Sequence, residues 1–101
     1  MAARRTGQWF VYLVQCRDGT LYTGVALDVE RRLAEHNAGR GARYTRGRAP
    51  VTFVAASRAL EKRAAYRLEW HLKQLRAREK ADVLREWARA PARRAAGRRR
   101  R

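Results

Sequence analysis

Tyr12 and Tyr22 are followed by Arg32, by His36 four residues further on, and much later by Glu69. These residue types match what phosphodiester hydrolysis requires: an activated water, stabilisation of charge on the phosphoryl oxygens, and help for the departing oxygen. Arginine offers a planar fork of donors suited to phosphate. A carboxylate such as Glu69 can hold Mg²⁺, which keeps several waters and needs few protein ligands. A tyrosine hydroxyl beside the attacking water can relay its proton. The chain carries 25 Lys and Arg against 9 Asp and Glu, a net charge of +16 in 101 residues, which points to a polyanionic partner, nucleic acid first. The segment 90–101 holds six arginines and no acid, and the rest of the chain still carries +10 without it.

For these side chains to meet, the elements must be arranged in one way. Trp9 to Cys16 and Thr20 to Val25 are rich in aromatic and β-branched residues, and Arg17-Asp18-Gly19 between them is turn chemistry. The turn length decides whether the two tyrosines share a face, because one residue of register inverts every side chain. A two-residue Asp18-Gly19 turn pairs Gln15 with Tyr22 and separates the tyrosines. A three-residue loop with Gly19 left-handed pairs Val14 with Tyr22 and Tyr12 with Gly24, and is the expected one.

Asp28 is a natural N-cap for a helix that runs to Gly39, on which Arg32 and His36 lie one turn apart while Glu35 points away. Gly39 to Pro50 is a basic loop holding Arg40, Arg43, Tyr44, Thr45, Arg46 and Arg48, a set suited to phosphate contact with stacking. Val51 to Ala55 reads as a third strand. Leu60, Ala64, Leu68, Leu72 and Leu75 predict one long helix from about Ser57 or Arg58 to Arg76, with Glu69 at the edge of the stripe. Glu61 is a rival carboxylate, but in the first turn an acid is explained by the helix dipole. A further helix is expected around Glu79 to Arg89, with Trp70 and Trp87 packed between helices. The order β-β-α-β-α-α predicts an α+β domain with a small three-stranded, mostly antiparallel sheet flanked by helices. It spans residues 9–89, between a flexible 1–8 and a disordered, arginine-rich 90–101.

These motifs resemble the GIY-YIG nuclease domain, found in homing endonucleases, excision-repair nucleases and junction nucleases. Phe10-Val11-Tyr12 stands where that family has Gly-Ile-Tyr, and Tyr22-Thr23-Gly24 where it has Tyr-Ile-Gly. Asp28 to Asn37 continues the match, with Arg32 at the family's arginine and His36 four residues later; Glu69 falls at its metal-binding glutamate. Gly41-Ala42-Arg43-Tyr44-Thr45 resembles the Gly-Ala-x-Tyr-Thr loop of the small stand-alone bacterial subfamily. Two positions depart from the pattern: Phe10 replaces glycine, and the asparagine that several members carry after the glutamate is missing, Asn37 being the one asparagine present. The resemblance implies an endonuclease with one Mg²⁺ or Mn²⁺ on Glu69. Arg32 would act on the phosphate, Tyr12 or Tyr22 on the attacking water, and His36 in proton transfer or phosphate holding. Gly24 would allow close packing beside the site. The resemblance leaves the general base unassigned among these residues. DNA is the expected substrate, ahead of RNA, in repair or recombination; a binding module without turnover is the alternative.

The single cysteine, Cys16, excludes an internal disulfide and is expected to pack. No apolar run approaches the ~20 residues of a membrane span, so the expected location is cytoplasmic, with no membrane partner.

Overall fold

The computed structural model describes residues 8–89. The expectations for the two termini lie outside that range, Gln8 apart. Strands β1 (Phe10–Gln15) and β2 (Leu21–Ala26) form the hairpin, followed by helix α1 (Val29–Asn37), a 3₁₀ turn (Arg43–Thr45), strand β3 (Thr52–Ala56), and helices α2 (Lys62–Leu72) and α3 (Ala77–Glu86). The sheet order is β2-β1-β3 and both pairings are antiparallel, the α+β arrangement expected.

The loop is the three-residue one. Tyr12 lies opposite Gly24, Val14 opposite Tyr22 and Gln15 opposite Leu21. The Cys16 N–H donates to the Thr20 carbonyl at 2.8 Å, closing the ladder around residues 17–19. Gly19 takes φ 89°, a left-handed conformation costly for a side chain. The Asp18 carboxylate accepts from the Thr20 N–H and hydroxyl, bracing the same turn.

Alternation along β1 divides the core. Val11 and Leu13 pack with Ala55, Leu60, Ala65, Leu68, Leu72 and Leu84, joining the sheet to α2 and α3. Tyr12, Val14 and Cys16 pack with Ala26 and Val51, with Val29 and Leu33 of α1 against them. Asp28 caps α1 by accepting from the Arg31 N–H at 3.0 Å, and the chain leaves the helix through Gly39 at φ 81°.

The expected long helix is shortened at both ends, to α2 alone, and the expected further helix is α3. Leu60 belongs to an extended segment that bridges Trp9 through backbone bonds in both directions, and Ser57 exchanges bonds with the Val11 backbone. Leu60 therefore reaches the core from an extended chain, and α2 begins only after Glu61, its N-cap. The helix ends near Lys73, and the Arg76 N–H is taken by the Glu79 carboxylate at 3.1 Å, which opens α3 two residues ahead of the expected start. Strand β3 is shifted by one residue from the expected span. It bulges at Val54, since Leu13 faces Ala55 while Val14 faces Phe53. Trp70 does not pack between helices; it is 66% exposed. Trp87 is half-buried against the core, with the Arg58 guanidinium over its ring.

Candidate active site

Strand β1 carries Tyr12 inward toward α1, whose last turn brings His36 against it. The Tyr12 hydroxyl lies 2.7 Å from His36 Nε2, and His36 Nδ1 lies 2.7 Å from Thr45 Oγ1. Tyr12 is 1% exposed, and His36 and Thr45 are fully buried. Thr45 has one hydroxyl proton, which it donates to the Ala42 carbonyl at 2.9 Å. Toward His36 it therefore accepts, which places the imidazole proton on Nδ1 and leaves Nε2 to accept from the Tyr12 hydroxyl. Burial, reinforced by the Arg32 charge, holds the His36 pKa below its ordinary value, so the imidazole is neutral near pH 7.

The Tyr12 phenol is pushed up to about 12, chiefly by burial, with Arg32 pulling it back down. Of the other expected residues, His36 is hydrogen-bonded to this hydroxyl and Tyr22 packs its ring beside that of Tyr12, while Glu69 adds a weaker upward push on the phenol pKa. Tyr22 presents its ring edge-on to His36 at 5.4 Å between centroids and lies 6.4 Å from the Tyr12 ring. Arg32 is half-buried and fixed by Glu35, 2.8 Å away, so Glu35 orients the guanidinium rather than pointing idly outward.

Two glycines make room for this chain of bonds. A Cβ on Gly24 would stand 2.5 Å from the Tyr12 hydroxyl oxygen and 2.6 Å from Cζ. A Cβ on Gly41 would collide with the His36 ring and its Cα. Gly24 closes the Tyr22-Thr23-Gly24 motif, and Gly41 opens the Gly-Ala-x-Tyr-Thr-like loop.

Glu69 projects from α2 with 18% of its side chain exposed and pairs with Lys73 at 3.3 Å. Among the described residues no three His, Cys, Asp or Glu side chains gather to hold a metal. Glu69 offers a single carboxylate, a donor of the kind that Mg²⁺ takes when water and phosphate oxygens complete its shell. The rival Glu61 is exposed at the start of α2.

The basic loop divides into distinct parts. Arg40, Arg43 and Arg46 are exposed. Thr45, expected on the nucleic-acid surface, is instead fully buried as the anchor of His36; the 3₁₀ turn points it inward while its neighbour Tyr44 stays outside. Arg48 is engaged within the protein: it pairs with Asp18 at 3.1 Å, donates to the Tyr44 carbonyl at 2.6 Å and lies over the Tyr44 ring at 4.1 Å. Arg17 adds bonds to the Gly47 and Ala49 carbonyls, both at 3.0 Å. The hairpin turn thus clasps the loop that orients His36. Sequence reasoning missed the clasp because it joins segments 30 residues apart, and the Thr45 anchor because nothing in the composition of the loop marks which of its residues turns inward.

The chain matches the family model described as the GIY-YIG catalytic domain over residues 8–82. It is 55% identical over 65 residues to a UPF0213 protein of Halobacterium salinarum, an alignment covering 64% of this chain and 84% of the relative. It is 52% identical over 66 residues to a UPF0213 protein of Nitratidesulfovibrio vulgaris, covering 65% of this chain and 60% of that longer relative. A solution NMR structure of a UPF0213 protein from Bacillus halodurans is 43% identical, with a TM-score of 0.46 over 74% of this chain and 80% of that one.

Proposed function

The chain belongs to the GIY-YIG family, a family of nucleases, and on that premise we propose that it is a divalent-metal-dependent endonuclease acting on DNA, in preference to RNA, at branched or damaged structures in repair or recombination. The observation that carries this reading is the buried Tyr12–His36 pair at 2.7 Å with the Tyr22 ring packed against both, His36 being on the same α1 that carries Arg32 and the hairpin beside the α2 that carries Glu69. Phosphodiester hydrolysis uses such a grouping: a cationic fork for the phosphoryl oxygens, a carboxylate for a cation, and a path for the proton of the attacking water.

In this mechanism Arg32, held by Glu35, binds a non-bridging phosphate oxygen and stabilises the charge that grows on it. The water O–H bond breaks as its oxygen bonds phosphorus, and the P–O ester bond opposite breaks with its electron pair going to the departing oxygen, which takes a proton from solvent. The proton of the attacking water passes to the Tyr12 oxygen, while the Tyr12 proton passes to His36 Nε2. The Nδ1–H bond to Thr45 steadies the imidazolium so formed. Tyr22, the more exposed of the two tyrosines, orients the water or the phosphate from the open side. Mg²⁺ or Mn²⁺ would be held by Glu69 and, when bound, supplies Lewis acidity to the phosphoryl group.

The Glu69–Lys73 ion pair favours a second reading, a nucleic-acid-binding module without turnover in which this carboxylate is neutralised internally. Incubating the protein and Glu69→Ala with plasmid, single-stranded and branched DNA, and with RNA, in Mg²⁺ or Mn²⁺ separates the two. Metal-dependent cleavage that falls at least about a hundredfold in Glu69→Ala supports the enzyme. Binding to all substrates with no Glu69-dependent cleavage removes it. Charge alone scarcely separates DNA from RNA, so the preference rests on the relative cleavage of the two. No helix among the described residues is long and apolar enough to cross a membrane. A cytoplasmic setting remains part of the proposal.

A further inference from the structure

Beside the catalytic grouping is a cleft of about 280 Å³ lined by Leu21, Tyr22, Thr23, Tyr44, Lys73 and Lys80. It combines two tyrosine rings, one aliphatic wall and two ammonium groups brought from β2, the basic loop, the end of α2 and α3. Lys73 is half exposed and pairs with Glu69, while Lys80 makes no ion pair among the described residues. The rings of Tyr22 and Tyr44 stack on each other, nearly parallel at 17° with centroids 5.8 Å apart, and the exposed part of this pair is the aromatic platform that borders the cleft. Tyr44 is 37% exposed, and its ring is fixed by the Arg48 guanidinium at 4.1 Å. Arg48 is in turn tied to Asp18 and to the Tyr44 carbonyl. An exposed aromatic ring that is already immobilised loses little further freedom when something stacks on it.

From this geometry we infer that the cleft is a nucleotide subsite, taking one unpaired nucleotide next to the scissile phosphate, its base on the Tyr22–Tyr44 platform and its outer phosphate on Lys80 and Lys73. The ring faces call for a flat π-system, and the ammonium groups call for an anion within one nucleotide's reach of it. Tyr22 belongs both to the cleft and to the grouping around Tyr12, so a strand seated here runs directly into the proposed reaction centre. A base inside a continuous duplex has both faces occupied by its neighbours and cannot stack on protein without leaving the helix. The subsite therefore selects strands with a free nucleotide: single-stranded segments, flaps, frayed ends or branch points. This inference rests on the nuclease reading for its placement, but its test does not require turnover.

Binding is measured by fluorescence anisotropy on the full chain in EDTA, at several salt concentrations, with a labelled single-stranded DNA oligonucleotide and its blunt duplex. Tyr44→Ala is expected to weaken single-strand binding by about tenfold, the scale of one lost base–aromatic stack, and duplex binding by less than about twofold. Tyr44→Phe keeps the ring and should bind as the unaltered chain does. Lys80→Ala should weaken single-strand binding and reduce its salt slope by about one phosphate contact. If Tyr44→Ala does not fold, Tyr44→Leu, which keeps apolar bulk without a π face, carries the same expectation. Equal loss on single strand and duplex, no loss on either, or a Tyr44→Phe protein as weak as Tyr44→Ala overturns the subsite. The Glu69→Ala cleavage assay is read separately: absent cleavage with selective Tyr44 dependence ends the enzyme reading and leaves the subsite, and the converse ends the subsite alone.

Discussion

Replacing Thr45 by valine keeps the shape of the side chain and removes only its hydroxyl. That hydroxyl accepts from His36 Nδ1 at 2.7 Å and donates to the Ala42 carbonyl at 2.9 Å. The Ala42 carbonyl keeps a partner, because the Thr45 N–H also reaches it at 3.1 Å. His36 keeps none on that side, and it is fully buried. One imidazole nitrogen is then left without a partner whichever tautomer is adopted, at a cost of about 1–3 kcal/mol. A cost of about 2 kcal/mol in a domain of this size lowers Tm by roughly 8–16 °C. Urea denaturation of Thr45→Val, of His36→Phe and of the double variant measures the coupling. With Phe at position 36 there is no Nδ1–H to orphan, so the Thr45→Val penalty should shrink to below about 0.5 kcal/mol. Nitrogen NMR of the imidazole should find a single neutral tautomer protonated on Nδ1 in the unaltered chain, and a mixed or mobile ring in Thr45→Val. A Thr45→Val penalty under about 0.5 kcal/mol, or one equally large in the His36→Phe background, would show that the Thr45 hydroxyl does not hold the ring.

Gly24→Ala places a Cβ 2.5 Å from a Tyr12 hydroxyl that has nowhere to move without leaving His36; a loss of about 2–4 kcal/mol is expected by denaturant titration, much of it relieved when Tyr12 is also truncated. The His36 pKa is lower in the folded than in the unfolded chain, so the stability tied to its neutral form is complete above about pH 6.5 and is lost as pH falls through the folded value; stability against pH should show this dependence in the unaltered chain and not in His36→Phe. Tyr12 behaves oppositely at the alkaline end: its stabilising neutral form is complete below about pH 10 and is lost as pH rises through about 12, so while the fold persists tyrosinate absorbance should show one phenol titrating late. Arg17→Ala removes exposed bonds to the Gly47 and Ala49 carbonyls; it should cost about 1 kcal/mol or less in global stability, yet speed amide exchange throughout the loop bearing Tyr44 and Thr45.

The parts of this protein that the sequence determined are those set by interactions a few residues long. The Arg17-Asp18-Gly19 loop fixes the hairpin register through local turn geometry, and alternation along β1 and β2 then places Tyr12 opposite Gly24. Asp28 starts α1, and the helical period sets Arg32 and His36 one turn apart. Net charge, strand content and the ordered motif were all available without coordinates. Tertiary structure decided what depended on long-range competition. Leu60 fits a helical stripe as well as a strand, and its pairing with Trp9 across some fifty residues of chain made it extended. Thr45 carries no mark separating it from the solvated loop around it; burial against His36 is what converts its hydroxyl from a surface group into a proton-fixing partner. Arg48 likewise became a brace because Asp18 of the hairpin turn came within 3.1 Å of it. Local geometry has few solutions and is written in neighbouring residues, whereas the partner of a buried polar group depends on which distant segments the core brings together.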